Sequence, residues 1–324
     1  MQTMQKNWQP SATIDALHQR ATLIKKVRTF FEERGFLEVE TPILSRYTVT
    51  DPFLNSFSTL ATTLTPALFL QTSPEYHMKR LLAANSGPIF QISKAFRQDE
   101  KGYRHNPEFT MLEWYRPGYN HHNLMDEMDD FLKIILNNQI SERYSYEAIF
   151  KKYLDINPHT ASLNELKACA KRHHIEFQDE TANTDTWLDL LISHVIEPHL
   201  GQNHPVFIYD YPASQASLSV MRQDSGKSYQ VGERFEVYYK GIELANGFHE
   251  LTNFYEQKER FIDNLEKRKS LNLPTLSLDE YFLQALEAGL PATSGVALGL
   301  DRLIMLALEK KCIGEIMTFT IENA

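Results

Sequence analysis

The stretch "FRQDEKGYRHNPEFTMLEWYR", Phe96 to Arg116, decides how this chain is read. The apolar run "PIFQISKAFRQ" enters it as a strand, "DEKGYRHNP" forms a loop, and "EFTMLEWYR" returns as a second strand. Arg97 therefore stands at the end of a rigid element. A guanidinium there needs an anion, because an unpaired buried charge is strongly unfavourable. Its planar fork suits phosphate or carboxylate. Two partners are open: a salt bridge to Asp99 or Glu100, or a bound anionic ligand. Phe109, which begins the returning strand, offers a flat face for a base.

Outward from this hairpin, Ala12 to Gly35 has apolar residues at helical spacing, stopped by Arg34-Gly35. "FLEVETPIL" alternates like a strand closed by a Thr-Pro turn. "SPEYHMKRLLAAN" reads as a helix with Ser73 as N-cap and Pro74 at its first position. A mainly helical insertion is predicted over about 124–200. Strands resume at "PVFIYDYP" and "GERFEVYYKGIELAN". A charged helix and the strand-to-helix run "GVALGLDRLIMLALEK" complete the chain. Hairpin strands with helices gathered apart predict an α+β fold, an antiparallel β-sheet flanked by helices, spanning 1–324 as one domain.

Composition narrows the function. No apolar run approaches a membrane span, and the N-terminus lacks the apolar core of a signal peptide. Cys169 and Cys312 are the only cysteines, too few for a disulfide framework or a structural zinc site, so the cytoplasm is expected. Lys and Arg total 33 against 42 Asp and Glu, a net charge of −9 that disfavours a dedicated nucleic-acid binder.

Some apparent motifs carry no chemistry. "GKS" at Gly226–Ser228 lacks the upstream glycine of a phosphate loop and reads as a surface turn. His121-His122 and His173-His174 are adjacent pairs, whose side chains diverge on a helix; they are expected to be exposed and not to chelate. No Gly-x-Ser-x-Gly elbow supports a serine hydrolase.

Two further segments do carry chemistry. In "GIELANGFHEL", Glu243 and Glu250 stand seven apart, which places them on opposite faces of an uninterrupted strand. Gly247 between them permits a bulge that would shift the register by one and let both carboxylates converge. Without it they are two surface glutamates. In "GVALGLDRL", Gly295 and Gly299 suggest close approach of a ligand, and Arg302 at a helix start wants an anion, whether Asp301, a glutamate or a ligand. Two such arginines, a carboxylate pair and an aromatic face together point to a nucleoside triphosphate site.

The order of segments resembles class II aminoacyl-tRNA synthetases: the first helix with "GFLEVETPIL" as motif one, "FRQDE…HNPEFTMLEWYR" as motif two, and "GVALGLDRL" as motif three. It looks most like the lysyl branch, whose motif two also carries "HNPEFT". Lysyl enzymes place an anticodon-binding domain ahead of motif one, and here no such domain is expected. Ala297 stands where they usually have glycine, and Ser73 where they have alanine. A methyl group in a tight pocket is worth roughly 1–3 kcal/mol of discrimination. Asp99 stands where the family usually has glutamate. These features resemble the truncated ligases that attach (R)-β-lysine to elongation factor P.

The resemblance implies ATP-dependent activation of (R)-β-lysine as an adenylate, then transfer to a lysine amine of elongation factor P, with Mg2+ as cofactor. It implies Arg97 and Arg302 as the catalytic cations. Arg97, Gln98, Asp99, Asn106, Phe109, Glu243, Leu244, Gly299 and Arg302 would hold ATP, with Glu243 and Glu250 on the metal. Ser73, Pro74, Glu75, Glu113, Tyr115, Glu250 and Ala297 would hold the amino acid. A homodimer is implied, and tRNA is not the expected acceptor. The alternatives are a stand-alone synthetase charging tRNA, and a non-catalytic regulatory paralogue.

Overall fold

The structure is a computed structural model that describes residues 8–324 except 62, 63, 99, 138, 139, 180, 181 and 224. Two compact units divide the chain. One holds Met1–Pro117, Thr252–Pro291 and Ala297–Ala324, the other Gly118–Leu251 and Ala292–Val296. The first unit opens with α1 (Ile14–Glu32), β1 (Leu37–Glu38), β2 (Leu44–Ser45), β3 (Ser58–Ala61), β4 (Leu64–Leu70), α2 (Glu75–Ala83), β5 (Ile89–Phe96) and β6 (Glu108–Pro117). The second carries α3 (His121–Leu136), β7 (Glu142–Ser145), α4 (Tyr146–Leu154), α5 (Leu163–Arg172), α6 (Thr184–Leu191), β8 (Val206–Pro212), β9 (Met221–Gln223), β10 (Gln230–Tyr239) and β11 (Ile242–His249). The chain returns to the first unit with α7 (Phe254–Ser270) and α8 (Glu280–Gly289). β12 (Thr293–Gly299) starts in the second unit and ends in the first, where α9 (Leu300–Ala307) follows. The class is α+β.

In the first unit, Thr13 caps α1 by accepting from the Ala16 amide at 3.2 Å. Gly35 ends the turn after it at φ +74°, a conformation glycine adopts without steric cost. Leu23, Val27, Phe30 and Phe31 form its buried stripe. Phe31 stacks on Phe90 at 4.7 Å and meets Trp114 at 5.1 Å, which seats α1 on β5 and β6. The expected hairpin is present: β5 and β6 pair antiparallel from Ile89↔Tyr115 to Phe96↔Glu108.

"FLEVETPIL" is not one strand. β1 pairs parallel with β5, whereas β2 joins β4 in a separate sheet. Pro42 removes a donor and restricts Thr41, so the two halves take different partners. The start of α2 also differs: Pro74 is the N-cap residue, and no side chain caps the helix. Its carbonyl accepts from the Met78 amide at 3.0 Å, so the helix begins one residue later and the Ser73 hydroxyl is not a cap.

In the second unit β8, β10 and β11 run antiparallel, with β9 on β10 and β12 beside β11. Lys240 and Gly241 turn the β10–β11 hairpin at φ +54° and +67°, the sign that a tight right-twisted hairpin requires. β7 pairs parallel with β8, a departure from an all-antiparallel sheet. A parallel pairing needs a long crossover, and α4 to α6 supply it. Tyr146, Phe150, Leu166 and Leu191 of that crossover bury against Ile208 and Tyr211. Between residues 124 and 200, β7 is the one strand among the described residues and the other elements are helical.

The two histidine pairs separate. His173 and His174 are exposed as expected, but His121 is buried, its ring centroid 4.1 Å from that of His122. His121 is the first residue of α3, and its side chain turns inward to Asp210 of β8. Residues 225–228 are an exposed turn with Gly226 at φ +73°. Among the described residues no helix is long and apolar enough to cross a membrane.

Candidate active site

In the first unit the hairpin register positions the predicted ligand groups. The Arg97 amide donates to the Pro107 carbonyl at 3.0 Å, extending the ladder one step past β5. Phe109 sits opposite Ala95. Arg97 then lies over the Phe109 ring, its guanidinium carbon 5.2 Å from the centroid. Arg97 Nη1 is 3.4 Å from Glu100 Oε1, both side chains 27% exposed. A pair so long and so wet is worth at most about 1 kcal/mol, which an incoming phosphate can displace. Arg97 Nε is buried and makes no hydrogen bond, so a donor remains for an anion. Of the two partners open to Arg97, the salt bridge to Glu100 is the one present.

Gln98 donates through Nε2 to the Ser56 carbonyl at 2.9 Å, tying the hairpin to the loop before β3. Asp99 lies outside the described residues. Asn106 is buried, donating to the Glu108 carbonyl at 2.7 Å and accepting from the Ile321 amide at 2.9 Å. Each end of its amide makes one bond, which leaves a second N–H and a second oxygen lone pair. On the same strand, Tyr115 Oη donates to Glu113 Oε1 at 2.6 Å, and both side chains are buried. Residues two apart on a strand share a face, so a carboxylate and a phenol converge.

Arg302 follows Gly299, which is the N-cap of α9. Its Nη2 is 2.6 Å from His105 Nε2, and its Nε donates to the Arg104 carbonyl at 3.3 Å. Burial lowers the His105 pKa, and the Arg302 charge lowers it further, so the neutral imidazole accepts. Along β12, Ala297 and Gly299 are half-exposed between buried Val296, Leu298 and Leu300. That alternation opens one face to a ligand. Ser73 and Glu75 are half-buried and Pro74 is buried at the start of α2.

Three groups in this unit were absent from the sequence-based set. Lys79 is fully buried, its Nζ 2.6 Å from Glu75 Oε1, and it fixes that carboxylate from one turn away. Glu-to-Lys spacing of four on a helix was the available signal. Asp301 accepts from the Thr110 amide at 2.7 Å and lies 2.7 Å from Arg20 Nη2, without hydrogen-bond alignment at Oδ1. Arg20 also donates to Thr110 Oγ1 at 3.1 Å. α1, β6 and α9 are thus joined beside Phe109 and Arg302, across sequence distances no local pattern reveals.

In the second unit Glu243 and Leu244 lie on β11, with Glu250 just past its end and buried. The bulge exists, but not at Gly247. Val237 pairs Ala245 while Tyr238 pairs Glu243, so Leu244 is the extra residue. One inserted residue reverses the alternation, and Glu243 shares a face with Asn246 and Phe248, while Glu250 lies past the strand end in a bridge to Ser219. Gly247 has another role: a Cβ there would meet Phe235 Cζ at 2.4 Å. The glycine admits a fully buried ring.

The family described as "tRNA synthetases class II (D, K and N)" matches residues 7–323. The chain belongs to that family. It is 51% identical over 324 residues to "Elongation factor P--(R)-beta-lysine ligase" of Pasteurella multocida, covering 99% of each chain. It is 50% identical over 328 residues to the protein of that name from Haemophilus influenzae strain PittGG, covering 99% of this chain and all of the relative. The relative of that name from Edwardsiella ictaluri is 48% identical over 323 residues, 98% of both. Membership in the family accounts for the motif order read from the sequence.

Proposed function

We propose that this chain activates (R)-β-lysine with ATP and transfers it to a lysine side chain of elongation factor P. The observation that carries this reading is the likeness, over 98–99% of this chain, to ligases bearing that name. The chemistry available in each unit supports it. The substrate carboxylate attacks the α-phosphate, the bond to the β-phosphate breaks and pyrophosphate leaves. Arg97 offers a guanidinium to the charge that builds on the α-phosphate, and positioning with charge neutralisation supplies most of the acceleration. Phe109 and Arg302 hold the adenine between ring and guanidinium.

Glu243 and Glu250 are hard oxygen donors of the kind Mg2+ takes. That ion, when bound, neutralises phosphate charge. Glu75, Glu113, Tyr115 and Glu250 supply the anions and acceptors that two ammonium groups need. In the second step the acceptor amine, with an unperturbed pKa of about 10.4, must lose a proton before it attacks the acyl carbon. The adenylate phosphate takes that proton as AMP departs. Two copies form a dimer, and the cytoplasm is the compartment.

ATP–pyrophosphate exchange with (R)-β-lysine, α-lysine and no amino acid tests activation; acylation of elongation factor P against tRNA tests the acceptor. Exchange with no lysine isomer sinks the reading. The family description favours tRNA as the second acceptor, and faster charging of tRNA than of the protein would establish it instead.

A further inference from the structure

The face of the β8–β10–β11 sheet covered by α3 carries a polar cluster that the proposed reaction does not use. His121 is 2% exposed. Its Nε2 lies 3.2 Å from Asp210 Oδ1, and its Nδ1 lies 3.8 Å from Glu233 Oε2 without making a hydrogen bond. The exposed His122 ring sits 4.1 Å from it, centroid to centroid. One donor atom from each of His121, His122 and Asp210 falls within 4.8 Å of the others. Among the described residues this is the one group of three or more such side chains so placed.

We infer that His121, His122 and Asp210 form a binding site for a transition-metal dication of the zinc, cobalt or nickel type. Two imidazoles and one carboxylate select such ions over Mg2+ or Ca2+, which take oxygen ligands. Metal–ligand bonds of about 2.0–2.2 Å place tetrahedral donors roughly 3.4 Å apart. The observed spread therefore has to contract by little more than 1 Å, a movement that rotation of exposed His122 provides. With Nε2 of His121 on the metal, its Nδ1–H faces Glu233, the carboxylate behind a ligating imidazole that orients such rings. Glu233 is itself held by His249 Nδ1 at 2.5 Å and by Arg222 Nε at 3.2 Å.

Arg222 defines the metal-free arrangement. Its Nη2 lies 2.5 Å from Asp210 Oδ2, so a guanidinium occupies the charge position that the metal would take. Metal and Arg222 compete for Asp210, and removing the arginine should tighten the site.

The test uses the full chain, stripped with EDTA and held in excess Mg2+ so that the Glu243 and Glu250 carboxylates are saturated. Co2+ is titrated and its visible absorption followed, then displaced with Zn2+. One equivalent of Co2+ that Zn2+ displaces is expected. His122→Ala, at an exposed position, should weaken binding at least about tenfold. Glu233→Gln should weaken it by about 10–100-fold, as loss of a partner behind a ligand does. Arg222→Met should strengthen binding. Far-UV circular dichroism identifies any variant that fails to fold, and the comparison then rests on His122→Ala and Arg222→Met. A spectrum without saturable Co2+ bands overturns the site, as does an affinity that neither of these two variants moves.

Discussion

Asp301→Ala removes the carboxylate that joins three elements of the first unit. In the native chain it accepts from the Thr110 amide at 2.7 Å and neutralises Arg20 at 2.7 Å, with the arginine side chain 15% exposed. Two losses follow: a buried amide without its acceptor, about 1–3 kcal/mol, and a mostly buried cation without its anion, about 3–5 kcal/mol when fully enclosed. Arg20 keeps Thr110 Oγ1 at 3.1 Å, and the two losses overlap, so the total should be about 3–5 kcal/mol. Asp301→Asn retains an oxygen for Thr110 and should lose about 1–3 kcal/mol. Urea unfolding measures both, read from the midpoint at unchanged m. Arg20→Met combined with Asp301→Asn in a double-mutant cycle should give coupling of about 0.5–3 kcal/mol. Phe109 and Arg302 flank this joint in sequence, so Asp301→Asn should raise KM for ATP more than it lowers kcat. A loss below about 0.5 kcal/mol for Asp301→Ala, the level of an ordinary surface change, would refute the reasoning.

Arg97→Ala should reduce pyrophosphate exchange by about 10²–10³, the loss typical of one donor to developing charge, while the urea midpoint stays nearly unchanged. Gly247→Ala pushes a methyl to 2.4 Å from Phe235 Cζ and should destabilise by about 1–3 kcal/mol of overpacking, with Phe235→Leu partly restoring the urea midpoint. Asp189, exposed on α6, has its carboxyl raised to about 6, chiefly by the desolvating effect of its neighbours and then by the charge of Asp185. A carboxyl whose folded pKa exceeds its unfolded value of about 3.9 favours folding when protonated, so its stability is present at low pH and lost as pH rises through 6. Water screens most of this penalty at an exposed site, so Asp189→Asn should stabilise at pH 8 by less than about 1 kcal/mol and not at all near pH 4, which chemical denaturation at both pH values will check.

The hairpin and the first helix were legible because each depends on periodicity within a few residues, whereas the motif order was legible only as a family resemblance. The stop at Gly35 is local in the same way; the Arg97–Phe109 contact and the Glu113–Tyr115 hydrogen bond appear only once the hairpin register is set. "FLEVETPIL" misled because its alternation says nothing about which strands it joins, and its halves join different sheets.

The sequence by itself determined the type of most elements and placed the anion-binding, aromatic and acidic side chains on them. Tertiary structure alone decided the depth and facing of several. The bulge sits at Leu244 because β10 sets the register of β11, while Gly247 is required by the Phe235 ring. His121 is buried because α3 packs on β10 and β11 and its first residue turns to Asp210, 89 positions away. Asp301 meets Thr110 across 191 positions. A local pattern specifies backbone conformation and side-chain period, but burial and pairing depend on distant segments that arrive only when the chain has folded.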